Sequence, residues 1–323
     1  MQSGKTPIDM AARISIQQLY QTYHHQLELE WHSGADKPID IIPAAEDEEG
    51  NPVVGYFNPI HPNQIQVLGQ KELDYLNSLE QDALQRLLQN MDWQDARVLI
   101  STRGATIPAA LQGFAETKRL AVLKSALPGE KLIEYLRYYL ALITAKPTSI
   151  HGVFMEVMGM GVLIRGPSGI GKSELALELL SRGHRLIADD VPEFIRLGPD
   201  LIQGNCPEML QGFLEVRGLG VLNIRAMFGE TAVLQNERLR LVIEMQILTD
   251  PEHYSADRLD TLQHYENILD VDIPVVILPV AAGRNLAFIV EVAVRNHVLR
   301  LNGYNATEDF IKRQQKLMHS DDE

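Results

Sequence analysis

The chain has 323 residues, 45% of them hydrophobic, which is more apolar material than one core usually buries. With 29 basic against 43 acidic residues the formal net charge is -14, which argues against a general nucleic-acid or anionic-membrane surface. One cysteine, Cys206, leaves no intrachain disulfide or multi-cysteine metal site and fits a reducing cytoplasm. No apolar stretch reaches the roughly 18 residues of a membrane span, and the first residues carry no export signal.

In chain order, residues 14–31 read as loosely helical, and the acidic run AAEDEEGNP at 44–52 as a surface turn. A strand is expected at 64–68 and helices at 71–79 and 81–91. RVLI at 97–100 is a strand candidate; Thr106 and Pro108 then start a helix over 108–116. A strand at 120–123 follows, then a helix over 131–143 with Leu132, Leu136, Leu140 and Ile143 on one side. The short polar AKPTS segment, with a proline that blocks the helix, marks a domain boundary.

Beyond it, two glycine-punctuated apolar runs at 152–158 and 160–164 read as a hairpin, and 184–188 as a strand. Residues 239–247 alternate, with Leu239, Leu241, Ile243, Met245 and Ile247 assigned to one face. PVVILPV at 274–280 reads as a buried strand, 285–301 as an apolar helix stopped near Gly303, and the polar tail from Gln314 as frayed.

Gly166, Pro167, Ser168, Gly169, Ile170, Gly171, Lys172 and Ser173 spell GPSGIGKS, a Walker A pattern. Glycines let backbone N–H groups converge on phosphate oxygens, the lysine neutralises the β and γ phosphates, and the hydroxyl ligates Mg²⁺. An apolar strand enters this stretch and the helical SELALELLS leaves it, so the helix dipole points at the anion. Asp189 and Asp190 end the next strand; they fit a solvated turn by themselves, but beside a phosphate loop they become candidates for metal orientation and proton acceptance. EVRGLGVLNI pairs Glu215 and Arg217 with Gly218 and Gly220; a strand and tight turn explains the glycines but not the acid–base pair. His151 is by itself more simply a structural histidine.

The ordered set of His151-Gly152-Val153, GPSGIGKSE, RGHRLIADD, EVRGLGVLNI, Asp257-Arg258-Leu259 and PVAAGRN resembles the bacterial HPr kinase/phosphorylase family, densely in the second half and loosely in the first. The resemblance implies an enzyme that phosphorylates a serine of HPr, the phosphotransferase-system carrier protein, with ATP and Mg²⁺. It also implies removal of that phosphate by inorganic phosphate, giving pyrophosphate, and a cytoplasmic homohexamer. The implied architecture is an N-terminal α/β domain at 1–146 for assembly or regulation, a P-loop kinase domain at 147–314 resembling the phosphoenolpyruvate carboxykinase-like core, and a tail at 315–323. His151, Lys172, Asp190 and Arg258 take the catalytic positions, with Asp190 as the base and Asp189 in support. Ser173 and Glu215 take the metal positions, and Pro279, Gly283 and Arg284 the phosphorolysis segment. There the family's PVRPGRN departs to PVAAGRN: Ala281 and Ala282 remove one cation, so phosphorolysis is expected to need high inorganic phosphate while phosphorylation keeps its normal strength. A small-molecule kinase and a non-catalytic nucleotide-binding regulator are the alternatives.

Overall fold

A computed structural model describes residues 14–41, 53–60, 62–91, 93, 95–247, 264–281 and 283–320. The acidic turn expected at 44–52, Arg258 with its neighbours, and Ala282 lie outside the described residues. The chain forms two compact units, Met1–Thr144 and Ala145–Glu323.

The first unit runs β1 (Ile14–Ser15), α1 (Ile16–Tyr23), β2 (Leu29–Ser33), β3 (Asp40–Ile41), β4 (Val54–Tyr56), β5 (Ile65–Leu68), α2 (Gln70–Ser78), α3 (Gln81–Asn90), β6 (Val98–Ser101), α4 (Ala109–Thr117), β7 (Ala121–Ser125) and α5 (Gly129–Thr144). Its main sheet has the order β2-β7-β6-β5-β4, with β4 to β7 parallel and β2 antiparallel against β7. All four residues of β5 and of β6 are buried, because helices cover both faces and leave no wet side to alternate with. α1 and α5 pack on one face, and α2, α3 and α4 on the other. The expectation of one helical stretch over 14–31 is corrected: α1 stops at Tyr23, Glu28 takes a positive φ of 48°, and the chain turns into β2.

The second unit runs β8 (Thr148–Ser149), β9 (Val153–Val157), β10 (Met160–Arg165), α6 (Lys172–Ser181), β11 (Arg185–Ala188), β12 (Glu193–Gly198), β13 (Leu201–Asn205), β14 (Phe213–Val216), β15 (Gly220–Asn223), α7 (Ile224–Phe228), β16 (Asn236–Ile247), β17 (His264–Ile268), β18 (Val271–Val280), α8 (Leu286–Leu301) and α9 (Ala306–Ser320). The sheet order is β11-β9-β10-β16-β13-β12-β8; β18 also pairs with β16, and β17 with β18. β9 and β10 form the expected hairpin, turned by Met158 and Gly159, both at positive φ as a tight two-residue turn demands. β16 runs parallel to both β10 and β18, each of which pairs with it. Leu175, Leu179 and Leu180 of α6 and Val290 and Val294 of α8 close the core on one face; Leu163, Val242 and Ile273 belong to a second core on the other.

Two expectations here are corrected. A register shift sets Gly161 opposite Leu239 but Val162 opposite Leu241, so Arg240 is an inserted bulge residue. The bulge moves Leu239 to the second core with Val242, while Leu241, Ile243 and Met245 stay in the first and Ile247 is exposed. The polar tail expected to fray from Gln314 continues as α9 to Ser320.

Candidate active site

β10 ends at Arg165 and α6 begins at Lys172, and residues 166–171 between them curl back on themselves. Gly166 has φ +145°, and a β-carbon there would lie 2.6 Å from the Met245 carbonyl oxygen, so only glycine fits against β16. Gly171 caps α6 in the left-handed region with no side-chain bond to the helix, which leaves the first-turn amides of α6 facing the loop. The Lys172 ammonium donates to the carbonyls of Gly166 (3.0 Å) and Pro167 (3.1 Å) and is thereby held across the loop. Ile170 packs on the core beneath.

β11 delivers the two aspartates into different surroundings. Asp189 is half-buried, and its Oδ2 accepts the Glu215 backbone N–H at 2.8 Å. Burial raises its carboxyl above the ordinary carboxylate range, against the opposing effect of that amide. Asp190 is exposed over 78% of its side chain and sits at φ +65°, a strained backbone for any residue but glycine. Its carbonyl accepts the Gly152 N–H at 3.1 Å, and its Oδ1 lies 3.6 Å from Nδ1 of the exposed His151.

The third wall is the hairpin of β14 and β15, turned by Gly218 and Gly220 at φ +88° and +84°. Strand alternation buries Leu214 and Val216 and turns Glu215 and Arg217 outward. An Arg217 guanidinium nitrogen lies 3.1 Å from where a Gly169 β-carbon would be, so the arginine reaches over the loop.

Together these walls enclose a cleft of about 390 Å³ lined by Ser168, Gly169, Gly171, Lys172, Ser173, Asp189, Asp190, Glu215 and Arg217, with Gly152 and Glu174 in addition. Glu174 was not anticipated from sequence, although its place directly after Ser173, in the first turn of α6, is the signal that exposes it to the cleft. Gly152 was likewise missed. Its φ of +155° and the 2.6 Å approach of a β-carbon there to the Ile164 carbonyl oxygen are tertiary facts. Among the described residues that line the cleft, none comes from the segment of Pro279, Gly283 and Arg284, which ends β18 and turns into α8. Arg258 lies outside the described residues.

One residue before the loop, Arg165 holds two carboxylates at once. Its guanidinium donates to Glu244 of β16 at 3.1 Å and to both oxygens of Glu266 of β17, at 2.9 and 2.5 Å. Arg165→Met leaves the two carboxylates without their cation. The expected loss is about 1–3 kcal/mol, below the cost at a fully buried pair because water still screens Glu266. The abandoned carboxylates repel, and salt screens that repulsion as it screens the wild-type attraction, so the loss shrinks at high ionic strength. Chemical denaturation of the variant and the wild type at low and high salt checks this; a variant as stable as the wild type at low salt contradicts it.

Profiles of known families match both units: that described as the HPr Serine kinase C-terminal domain covers residues 143–314, and that described as the HPr Serine kinase N terminus covers 14–140. The chain is 44% identical over 300 residues to a protein of Chromobacterium violaceum named HPr kinase/phosphorylase, covering 93% of this chain and 94% of that one. It is 42% identical over 312 residues to the protein of the same name from Nitrosomonas europaea, covering 95% of each. A solved structure described as the Hpr(Ser) kinase/phosphatase from Coxiella burnetii aligns with a TM-score of 0.45 at 35% identity, over 50% of this chain and 98% of that chain.

Proposed function

The chain belongs to the HPr serine kinase family, and from that premise we propose that it transfers the γ-phosphoryl group of ATP to a serine of HPr and removes it again with inorganic phosphate. The observation that carries the reading is the single cleft in which the glycine-rich loop, Lys172, Ser173, Asp189, Asp190, Glu215 and Arg217 converge. Backbone amides at the start of α6 and the Lys172 ammonium hold the triphosphate, positioning it for in-line transfer. Arg217, reaching over the loop from the hairpin, adds a cation on the acceptor side.

Asp190 is the base. Its exposed carboxylate accepts the serine proton as the serine oxygen bonds to the γ phosphorus and ADP leaves. In the opposite direction a phosphate oxygen attacks the phosphoserine phosphorus. The serine oxygen departs with the proton from Asp190, and pyrophosphate forms. His151 orients Asp190 from 3.6 Å, and Asp189, committed to the Glu215 amide, fixes the hairpin.

The Ser173 hydroxyl and Glu215 carboxylate are hard oxygen donors suited to Mg²⁺. Among the described residues no group of three or more His, Cys, Asp or Glu forms a cage, which agrees with an ion bound by few protein ligands and by substrate phosphates. Bound there, Mg²⁺ supplies neutralisation of phosphate charge. The wider reading is a P-loop kinase of phosphoenolpyruvate carboxykinase-like type, supported by the parallel β10, β16 and β18 and the loop running from β10 into α6. Homohexameric assembly and a cytoplasmic site of action follow from the family resemblance. No described helix is long and apolar enough to cross a membrane.

Incubation with γ-labelled ATP, Mg²⁺ and the organism's own HPr, followed by phosphosite mapping, tests the proposal: labelled serine supports it, and label on a metabolite or none at all overturns it. Phosphorolysis carries its own expectation. Ala281 stands where the family pattern has arginine, so Ala281→Arg is expected to lower the phosphate concentration needed for dephosphorylation several-fold without altering the kinase direction. A phosphate titration of serine-phosphorylated HPr with both proteins checks it; an unmoved half-saturation contradicts it.

A further inference from the structure

A cleft of about 390 Å³ admits a nucleotide but not a folded protein, so an acceptor serine carried on a protein has to be delivered at its mouth. The β14–β15 hairpin forms part of that rim. Its inner face, with Leu214, Val216 and Leu222, packs into the core, and its outer face does something less usual. Val221 is the cross-strand partner of Glu215, and Phe213 lies two residues before it on the same face. Both are exposed, Val221 at 66%, and Leu219 at the hairpin tip is exposed at 67%. Met209, in the turn leading into β14, extends the apolar surface at 91%. In a chain of net charge -14, large apolar side chains flank the proposed metal ligand on one strand face. A small phosphoryl acceptor could be held by the cleft residues alone. A protein acceptor must rest on whatever adjoins them.

We infer that this outward apolar face, carrying Phe213, Leu219 and Val221, docks the protein whose serine enters the cleft. The inference rests on the reading that HPr is that acceptor, and commits to HPr over a second copy of this chain. The reason is position: the face continues directly into the row of Glu215 and Arg217 that lines the cleft, so any protein serine placed there brings its neighbours onto Val221 and Phe213. Glu215 and Arg217 then set the chemistry, and the apolar residues set which protein receives it.

The test uses the full-length protein and the double variant Leu219→Ser/Val221→Thr, at exposed positions where neither change opens a core cavity. Steady-state kinetics with HPr and ATP are measured for both proteins, with the mass in solution by light scattering. The expected result is a KM for HPr raised about tenfold, with KM for ATP, kcat at saturating HPr and mass unchanged. An unaltered KM for HPr in a variant that phosphorylates it normally overturns the docking role. So does a fall in mass, which assigns the face to contact between copies. If the wild-type protein does not phosphorylate HPr, the functional reading itself fails, an outcome distinct from either.

Discussion

Lys172→Ala is expected to fold and to lose phosphoryl transfer by about 100- to 1,000-fold, the scale of removing one preorganised charge from a transition state. The structural reason is specific. Among the described residues the ammonium bonds only loop carbonyls, those of Gly166 and Pro167, so its deletion leaves two partly exposed acceptors that water can serve, at a cost of about 1 kcal/mol or less. Stability and turnover therefore separate in this variant. A thermal melt within a few degrees of wild type alongside the collapse in rate meets the expectation; near-normal turnover in a folded protein contradicts it. Arginine at the same position keeps the charge but not the compact ammonium, and rescues little.

Asp190→Asn is expected to depress both directions by about 100- to 10,000-fold while ATP still binds, since the amide keeps the shape but cannot take a proton. Asp189→Asn is the informative comparison. Its side-chain oxygen can still accept the Glu215 N–H, so the hairpin stays in place and the loss is the smaller of the two. Single-turnover transfer from ATP to HPr, with nucleotide affinity measured separately, ranks the pair. A larger loss at Asp189 with affinity intact reverses the assignment of the base.

Much of the fold was legible because it rests on short-range pattern. β6 read as a strand since a sheet covered on both faces leaves a continuous apolar run, and α5 read as a helix from its row of leucines. The failures share a cause. The turn from α1 into β2 at Glu28 and the Arg240 bulge are set by partners distant in sequence, so the local period misled. At the site the contiguous loop was readable at once. That Asp189 bonds the Glu215 amide, 26 residues away, and that Gly152 joins the cleft, were not, because no spacing rule brings those segments together.

The bond between Asp189 and the Glu215 amide also joins two processes that are otherwise separate. An N–H donor favours the ionised carboxyl, while burial favours the neutral one, and burial prevails in the free protein. Whatever steadies the hairpin strengthens the donor and favours the ionised Asp189. Reciprocity then requires that acidity, by protonating Asp189, loosens the hairpin. Any contact that steadies the hairpin is thereby thermodynamically tied to the ionised form of Asp189 at the end of β11, and acidification opposes it.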